Sequence, residues 1–215
     1  MSDINRPERP QLLAGPGRLI VLSGPSGVGK DTVLRELFKL DPSLRYSVSY
    51  TTRPKRPDER EDESYSFIDE ATFNQMADKD RREFLEWAIV FGHLYGTSLK
   101  RVQEAVSRGE DIVLKIDVQG AARVRRRVAG EATFIFLLPP SREELRRRLI
   151  ERGTEDKASI ELRYATAITE LGEKDKYDHQ IVNDDVHRTA RQILDIIEED
   201  RRRRAAERAS ESTHA

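Results

Sequence analysis

The chain contains no cysteine among its 215 residues. That absence excludes disulfides, thiolate chemistry and cysteine-ligated zinc, and it suits a reducing compartment. Histidine is scarce too: only His93, His179, His187 and His214 occur, and no two stand at metal-ligand spacing. Neither sign of charge dominates. Lys plus Arg number 38 and Asp plus Glu 39, for a formal net charge of −1, so the broad basic excess of a protein that coats nucleic acid is missing and any positive field must be local. No apolar run reaches the length of a signal h-region or a bilayer span; near the N-terminus the longest is LIVLSG, residues 19–24. The expectation is a soluble cytoplasmic protein with neither nucleic acid nor membrane as partner.

What is present suits one domain with inserted lobes, long enough to bury a core. Three short apolar runs, RLIVLS at 18–23, DIVLKID at 111–117 and TFIFLL at 133–138, each precede a helical pattern. Strands alternating with helices predict an α/β fold with a parallel sheet. Helices are expected at 98–108, 121–127, 142–152, 158–174 and 186–204. Residues 46–97 differ in character, and their alternating Ser, Thr and aromatic residues predict an inserted, mostly β lobe. Residues 141–163 are arginine-dense and read as a short helical lid. That leaves 17–45, 98–140 and 164–200 for the core. The Pro-rich stretch 1–16 reads as a flexible arm, and 201–215 as a frayed helix with a disordered tail.

The sharpest local signal is VLSGPSGVGKDTVL, residues 21–34. An apolar strand runs into a glycine-rich turn and then into a helix whose apolar face is Val33, Leu34, Leu37 and Phe38. In that context Gly24, Pro25, Ser26, Gly27, Val28, Gly29, Lys30, Asp31 and Thr32 form a candidate nucleotide-phosphate site, which the resemblance given below implies is that of ATP. Backbone N–H groups and the helix N-terminus cradle anions, glycines permit close approach, and Lys30 adds a charge. Against the pattern G-x-x-x-x-G-K-[ST], Asp31 occupies the position of the Mg²⁺-holding hydroxyl.

Further along, GPSGVGK, SVSYTTRPKRP, EFLEWAIVFGHLYGT, IDVQGA, LLPPS, RLIERGT and IVND occur in an order and at a spacing that resemble guanylate kinase over about residues 17–200. The resemblance implies transfer of the γ-phosphoryl of ATP to GMP, with Mg²⁺ as cofactor, in purine nucleotide metabolism and GMP recycling. Matched by position, Ser49, Glu86, Thr97 and Asp117 fall where the family contacts guanine. Arg53, Arg56, Tyr65 and Tyr95 fall where it holds the GMP phosphate. Lys30, Arg148, Arg152 and Arg163 fall on the ATP phosphates, and Asn183 beside adenine. The chemistry agrees with the match. Guanine presents N1–H and N2–H₂ side by side, and a carboxylate such as Glu86 accepts both, whereas adenine sets a lone pair against it. On the lid helix, a turn of ~100° per residue places Arg148 and Arg152 on the side of Leu145 and Leu149, with Arg146 and Arg147 pointing away.

Several positions depart from the family pattern. RPDEREDESY replaces a glycine-richer turn, His93 a common Asn, and Lys115 stands two before Asp117 where an acid is frequent. The acid has moved to the loop, at Asp31. The expectation is that Asp31 contributes to the Mg²⁺ shell, directly or through water, while Lys115 pairs with Asp31 or with a phosphate; the alternative is that Asp31 merely caps its helix. Two rival functions share the sequence. Ribose 1,5-bisphosphate phosphokinase resembles guanylate kinase and can carry Asp after the loop lysine, and a non-catalytic guanylate-kinase-like interaction module would have lost turnover. Glu86, Asp117 and Tyr65 argue against the first, and Lys30 with the lid arginines against the second.

Overall fold

The computed structural model describes residues 12–57, 59–63, 65–78, 80–90, 92–128, 130–151 and 157–213. Its first strand, β1 (Leu19–Ser23), is buried on both faces. Alternation then divides its residues between two layers. Leu19 and Val21 pack with Ile112, Leu114, Phe134 and Phe136 on one side of the sheet. Ile20 and Leu22 pack with Val113, Ile135 and Leu137 on the other. This is why β1, β7 (Ile112–Lys115) and β8 (Ala132–Leu138) read as unbroken apolar runs: a parallel sheet covered on both faces has no polar side.

Around these strands the chain forms α1 (Lys30–Leu40), β2 (Arg45–Tyr46), β3 (Tyr50–Thr51), β4 (Ser66–Phe67), α2 (Glu70–Ala77), β5 (Phe84–Val90), β6 (His93–Ser98), α3 (Leu99–Ser107), α4 (Val118–Arg127), α5 (Arg142–Glu151), α6 (Lys157–Leu171), β9 (His179–Val182) and α7 (Val186–Thr213). The core sheet has the order β2-β7-β1-β8-β9 and every pairing in it is parallel. Helices α3 and α4 contribute Val102, Ala121 and Val124 to one face, and α1 and α7 contribute Leu37, Ile193 and Ile197 to the other. The lobe within 46–97 is a second sheet, β4-β3-β6-β5. Phe73 of α2 stacks on Phe84 at 4.6 Å between ring centroids to give this lobe its own core.

The structure differs from the sequence expectations at several places. The strand expected over 111–117 ends at Lys115, and Asp117 is the N-cap of α4, accepting the Gly120 N–H at 2.7 Å. The core sheet gains β2 and β9. The lid boundary set at 163 lies inside α6. The arm expected over 1–16 is docked from Leu12 onward: Leu12 and Leu13 donate their backbone N–H groups to Glu131, and Leu13 is buried in the core. Finally, the fraying expected at 201 falls within α7, because Arg201 and Arg204 bind the carboxylate of Asp111. No described helix is long and apolar enough to cross a membrane.

Candidate active site

A cleft of about 370 Å³ opens at the carboxyl ends of β1 and β7, between the core, the β lobe and α6. Ligand sites in open α/β sheets lie at such strand ends. The phosphate loop, Gly24–Gly29, forms one wall. Gly29 is the N-cap of α1 with φ +99°, a conformation that suits glycine, and a Cβ there would lie 2.6 Å from Asn183 Nδ2. The Lys30 ammonium donates to the carbonyls of Gly24 at 2.6 Å and Pro25 at 3.1 Å. Desolvation lowers its pKa to about 8, against the opposing pull of Glu170 and Asp31.

The loop is braced from behind. Asn183, buried at the end of β9, donates to the Val28 carbonyl at 2.7 Å and accepts from Thr189. Arg148 of α5 donates to the carbonyls of Val28 and Asn183, both at 3.1 Å, and to Glu144 at 2.8 Å. Of the arginines expected to divide between the two faces of this helix, Arg148 turns inward, while Arg146 pairs with Glu161 and Arg147 with Glu144 and Glu151 at the surface. Yet Arg148 meets the outer side of the loop, and neither it nor Asn183 lines the cleft. Arg163 does, together with Thr166 and Glu170 of α6. Arg152 lies outside the described residues.

At the other wall, Glu86 is 5% exposed on β5 and accepts the Thr97 hydroxyl at 2.6 Å. Burial raises its pKa to about 7; the Thr97 hydrogen bond opposes this and Asp117 adds to it. Thr97 is fully buried, so it positions the carboxylate and does not face the cleft. Gly120 keeps the space clear, since a Cβ there would stand 2.8 Å from Glu86 Oε2. Ser49 and Asp117 also line this end.

Between the two walls lies a hollow shared by Arg53, Arg56, Tyr65 and Tyr95. Arg53 is held by Glu59 at 2.5 Å and sits over the Tyr65 ring at 5.6 Å. Burial works against its charge, but Glu59 and Tyr95 outweigh it and hold its pKa up. Tyr65 and Tyr95 meet edge to face at 5.7 Å. Lys115 enters the same hollow and bonds Asp31.

Sequence reasoning missed two acids. Glu59 bonds both Arg53 and the Arg56 backbone N–H, inside a charge-dense stretch with no periodicity to single it out. Glu170 accepts the Ser26 N–H of the phosphate loop at 2.9 Å. It lies seven residues beyond Arg163 and four beyond Thr166, so one helical face carries all three, and that spacing was readable.

Fold and site together define the class of phosphate-loop phosphotransferases, here with an inserted β lobe facing the loop across the cleft. Comparison with known proteins narrows the class. The family model described as guanylate kinase matches residues 16–200. A guanylate kinase of Alkalilimnicola ehrlichii is 44% identical over 188 residues, covering 87% of this chain and 91% of that protein. One of Geobacter sulfurreducens is 45% identical over 181 residues, covering 84% and 88%. The crystal structure of guanylate kinase from Anaplasma phagocytophilum superposes with a TM-score of 0.72 at 33% identity, over 89% of each chain. The chain belongs to the guanylate kinase family.

Proposed function

We propose that the protein transfers the γ-phosphoryl group of ATP to GMP, giving ADP and GDP, in the cytoplasm and as part of purine nucleotide metabolism. The observation that carries this reading is the placement of Glu86. A buried carboxylate, fixed by Thr97 and facing the same cleft as a phosphate loop, matches the two adjacent donors of guanine and repels the N1 lone pair of adenine.

The remaining residues divide by substrate. Gly24 to Thr32 supply the backbone cradle and Lys30 the charge for the ATP phosphates. Arg163 reaches the donor side from α6, and Arg148 and Asn183 act on it by holding the loop in shape. Arg53, Arg56, Tyr65 and Tyr95 take the GMP phosphate, a ligand set whose two guanidinium forks suit a dianion. Ser49 and Asp117 complete the guanine end with Glu86.

In the reaction an oxygen of the GMP phosphate attacks the γ-phosphorus and the bond to the ADP oxygen breaks. The attacking oxygen is already anionic near neutral pH, so no general base is required, and the residues act by alignment and by positive charge. The donor set bears on the cofactor. No cluster of three or more His, Asp or Glu side chains among the described residues converges as a metal site. Mg²⁺ fits here as an ion carried on the nucleotide phosphates with one nearby carboxylate, Asp31, a sparse protein shell that this ion accepts. Bound with ATP, it would supply positive charge to the transferring group.

ADP release measured with ATP plus GMP, ATP plus AMP, ATP plus ribose 1,5-bisphosphate and ATP alone tests the reading. Turnover with GMP alone among the acceptors is expected. Turnover only with the ribose bisphosphate, or with no acceptor at all, would overturn it in favour of the corresponding rival.

A further inference from the structure

Lys115 is the last residue of β7, and its register partner is Leu22, next to the end of β1. Its backbone is therefore level with the point where the phosphate loop leaves the sheet. The side chain bonds Asp31 in the first turn of α1 and shares its hollow with Tyr46, and its ammonium lies 5.6 Å from the centre of the Tyr65 ring. Burial disfavours the charge, but Tyr46, Tyr65 and Asp31 together outweigh that cost, so the group stays protonated. The two partners are unequal. Only 15% of the Lys115 side chain is exposed, against 58% for Asp31. An enclosed cation thus faces a carboxylate at the rim.

The surroundings of that cation are the residues assigned above to the acceptor phosphate. Arg53, Arg56, Tyr65 and Tyr95 line one hollow with Lys115 and Asp31. We propose that Lys115 is a ligand of the acceptor phosphate and that Asp31 competes with that phosphate for its ammonium. The proposal rests on the reading of this cleft as the GMP site. A rim carboxylate with one charge and access to water is the weaker partner; a phosphate with close to two charges, held by two arginines, is the stronger. Acceptor binding exchanges the Asp31–Lys115 contact for a Lys115–phosphate contact. It also releases the Asp31 carboxylate on the donor side, next to Lys30. The exchange of residue types at 31 and 115 then adds a cation to the acceptor subsite and, with Asp31, a built-in competitor.

Calorimetric titration of the full chain with GMP and with guanosine, for the wild type, Lys115→Met and Asp31→Asn, separates the outcomes. Lys115→Met should weaken GMP about tenfold to hundredfold, the scale of one charged hydrogen bond. Asp31→Asn should tighten GMP severalfold by removing the competitor. Guanosine, which lacks the phosphate, should bind all three proteins equally. Unchanged GMP affinity in Lys115→Met overturns the proposal, as does an equal loss of GMP and guanosine, which would make Lys115 a structural residue. Should Lys115→Met fail to fold, Asp31→Asn decides: tighter GMP binding supports the competition, and equal or weaker binding overturns it. A wild type that binds neither GMP nor guanosine fails the reading of the cleft itself, which distinguishes that failure from failure of the Lys115 assignment.

Discussion

Two ionisable side chains at opposite walls of the cleft are displaced toward neutrality from opposite directions, and each makes a testable link between pH and ligand. Glu86 titrates near 7, and the guanine donors proposed to meet it would favour its ionised form. GMP binding at pH 6.5 should therefore release a proton. Lys30 titrates near 8, and phosphate favours its charged form, so ATP binding at pH 8.5 should take a proton up. Calorimetry in buffers of different ionisation enthalpy reads both; the same proton sign for the two ligands would contradict the assignments. Glu86 also carries a stability cost. The folded carboxyl holds its proton to about 7 whereas an unfolded glutamate releases it near 4.5, so the cost of its charge develops as pH rises between those values. Glu86→Gln should raise the melting temperature at pH 8, at about 2–4 °C per kcal/mol for a chain of this size, and gain little at pH 5. It should lower kcat/KM for GMP by about a hundredfold or more while leaving ATP binding nearly intact. An equal thermal gain at both pH values would show that the carboxylate is not the cause.

At the scale of elements, the phosphate loop takes its shape from a helix and a strand end far away in sequence. Arg148 and Asn183 both bind the Val28 carbonyl. Arg148→Ala should therefore weaken ATP binding as well as turnover, by about tenfold for a lost charged hydrogen bond, whereas Arg146→Ala should leave both within twofold. Loss of turnover alone in Arg148→Ala would instead assign Arg148 to the transferring phosphate. The loop itself was legible because strand, glycines and helix are contiguous and each has its own signal. The bracing was not, because backbone carbonyls that accept a guanidinium leave no trace in the order of side chains. Length decided other cases. β2 has two residues, too few for alternation to show. The end of α7 was hidden for a different reason: Arg201 binds Asp111 and Asp41, which lie 90 and 160 residues away. Four successive arginines at 201–204 look like a solvated end until those partners are known.

Across the whole molecule, that clamp sits away from the chemistry. Asp111 precedes β7 at the end opposite Lys115, and it receives Arg201 and Arg204 while Arg204 and Arg208 reach the Pro16 carbonyl. Asp111→Asn should cost about 2–3 kcal/mol, below a fully buried pair because 34% of the Arg201 side chain remains in water. Denaturant unfolding should register this with kcat/KM at 25 °C unchanged; a matching loss of activity in the folded variant would show that the clamp reaches the cleft. A different contact runs through the cleft itself. The Ser26 N–H, one of the groups that would greet a phosphate, is held by Glu170. The seat is thus taken by a carboxylate of the protein's own, which a nucleotide phosphate bound there would have to replace. Because that carboxylate is carried on α6, along with Arg163, its replacement by a nucleotide would couple donor binding to α6. Glu170→Gln, neutral at that position, should bind ADP severalfold more tightly and should abolish the change in amide hydrogen exchange along α6 that ADP produces in the wild type. Weaker ADP binding in this variant would mean that Glu170 shapes the loop and does not stand in for the phosphate.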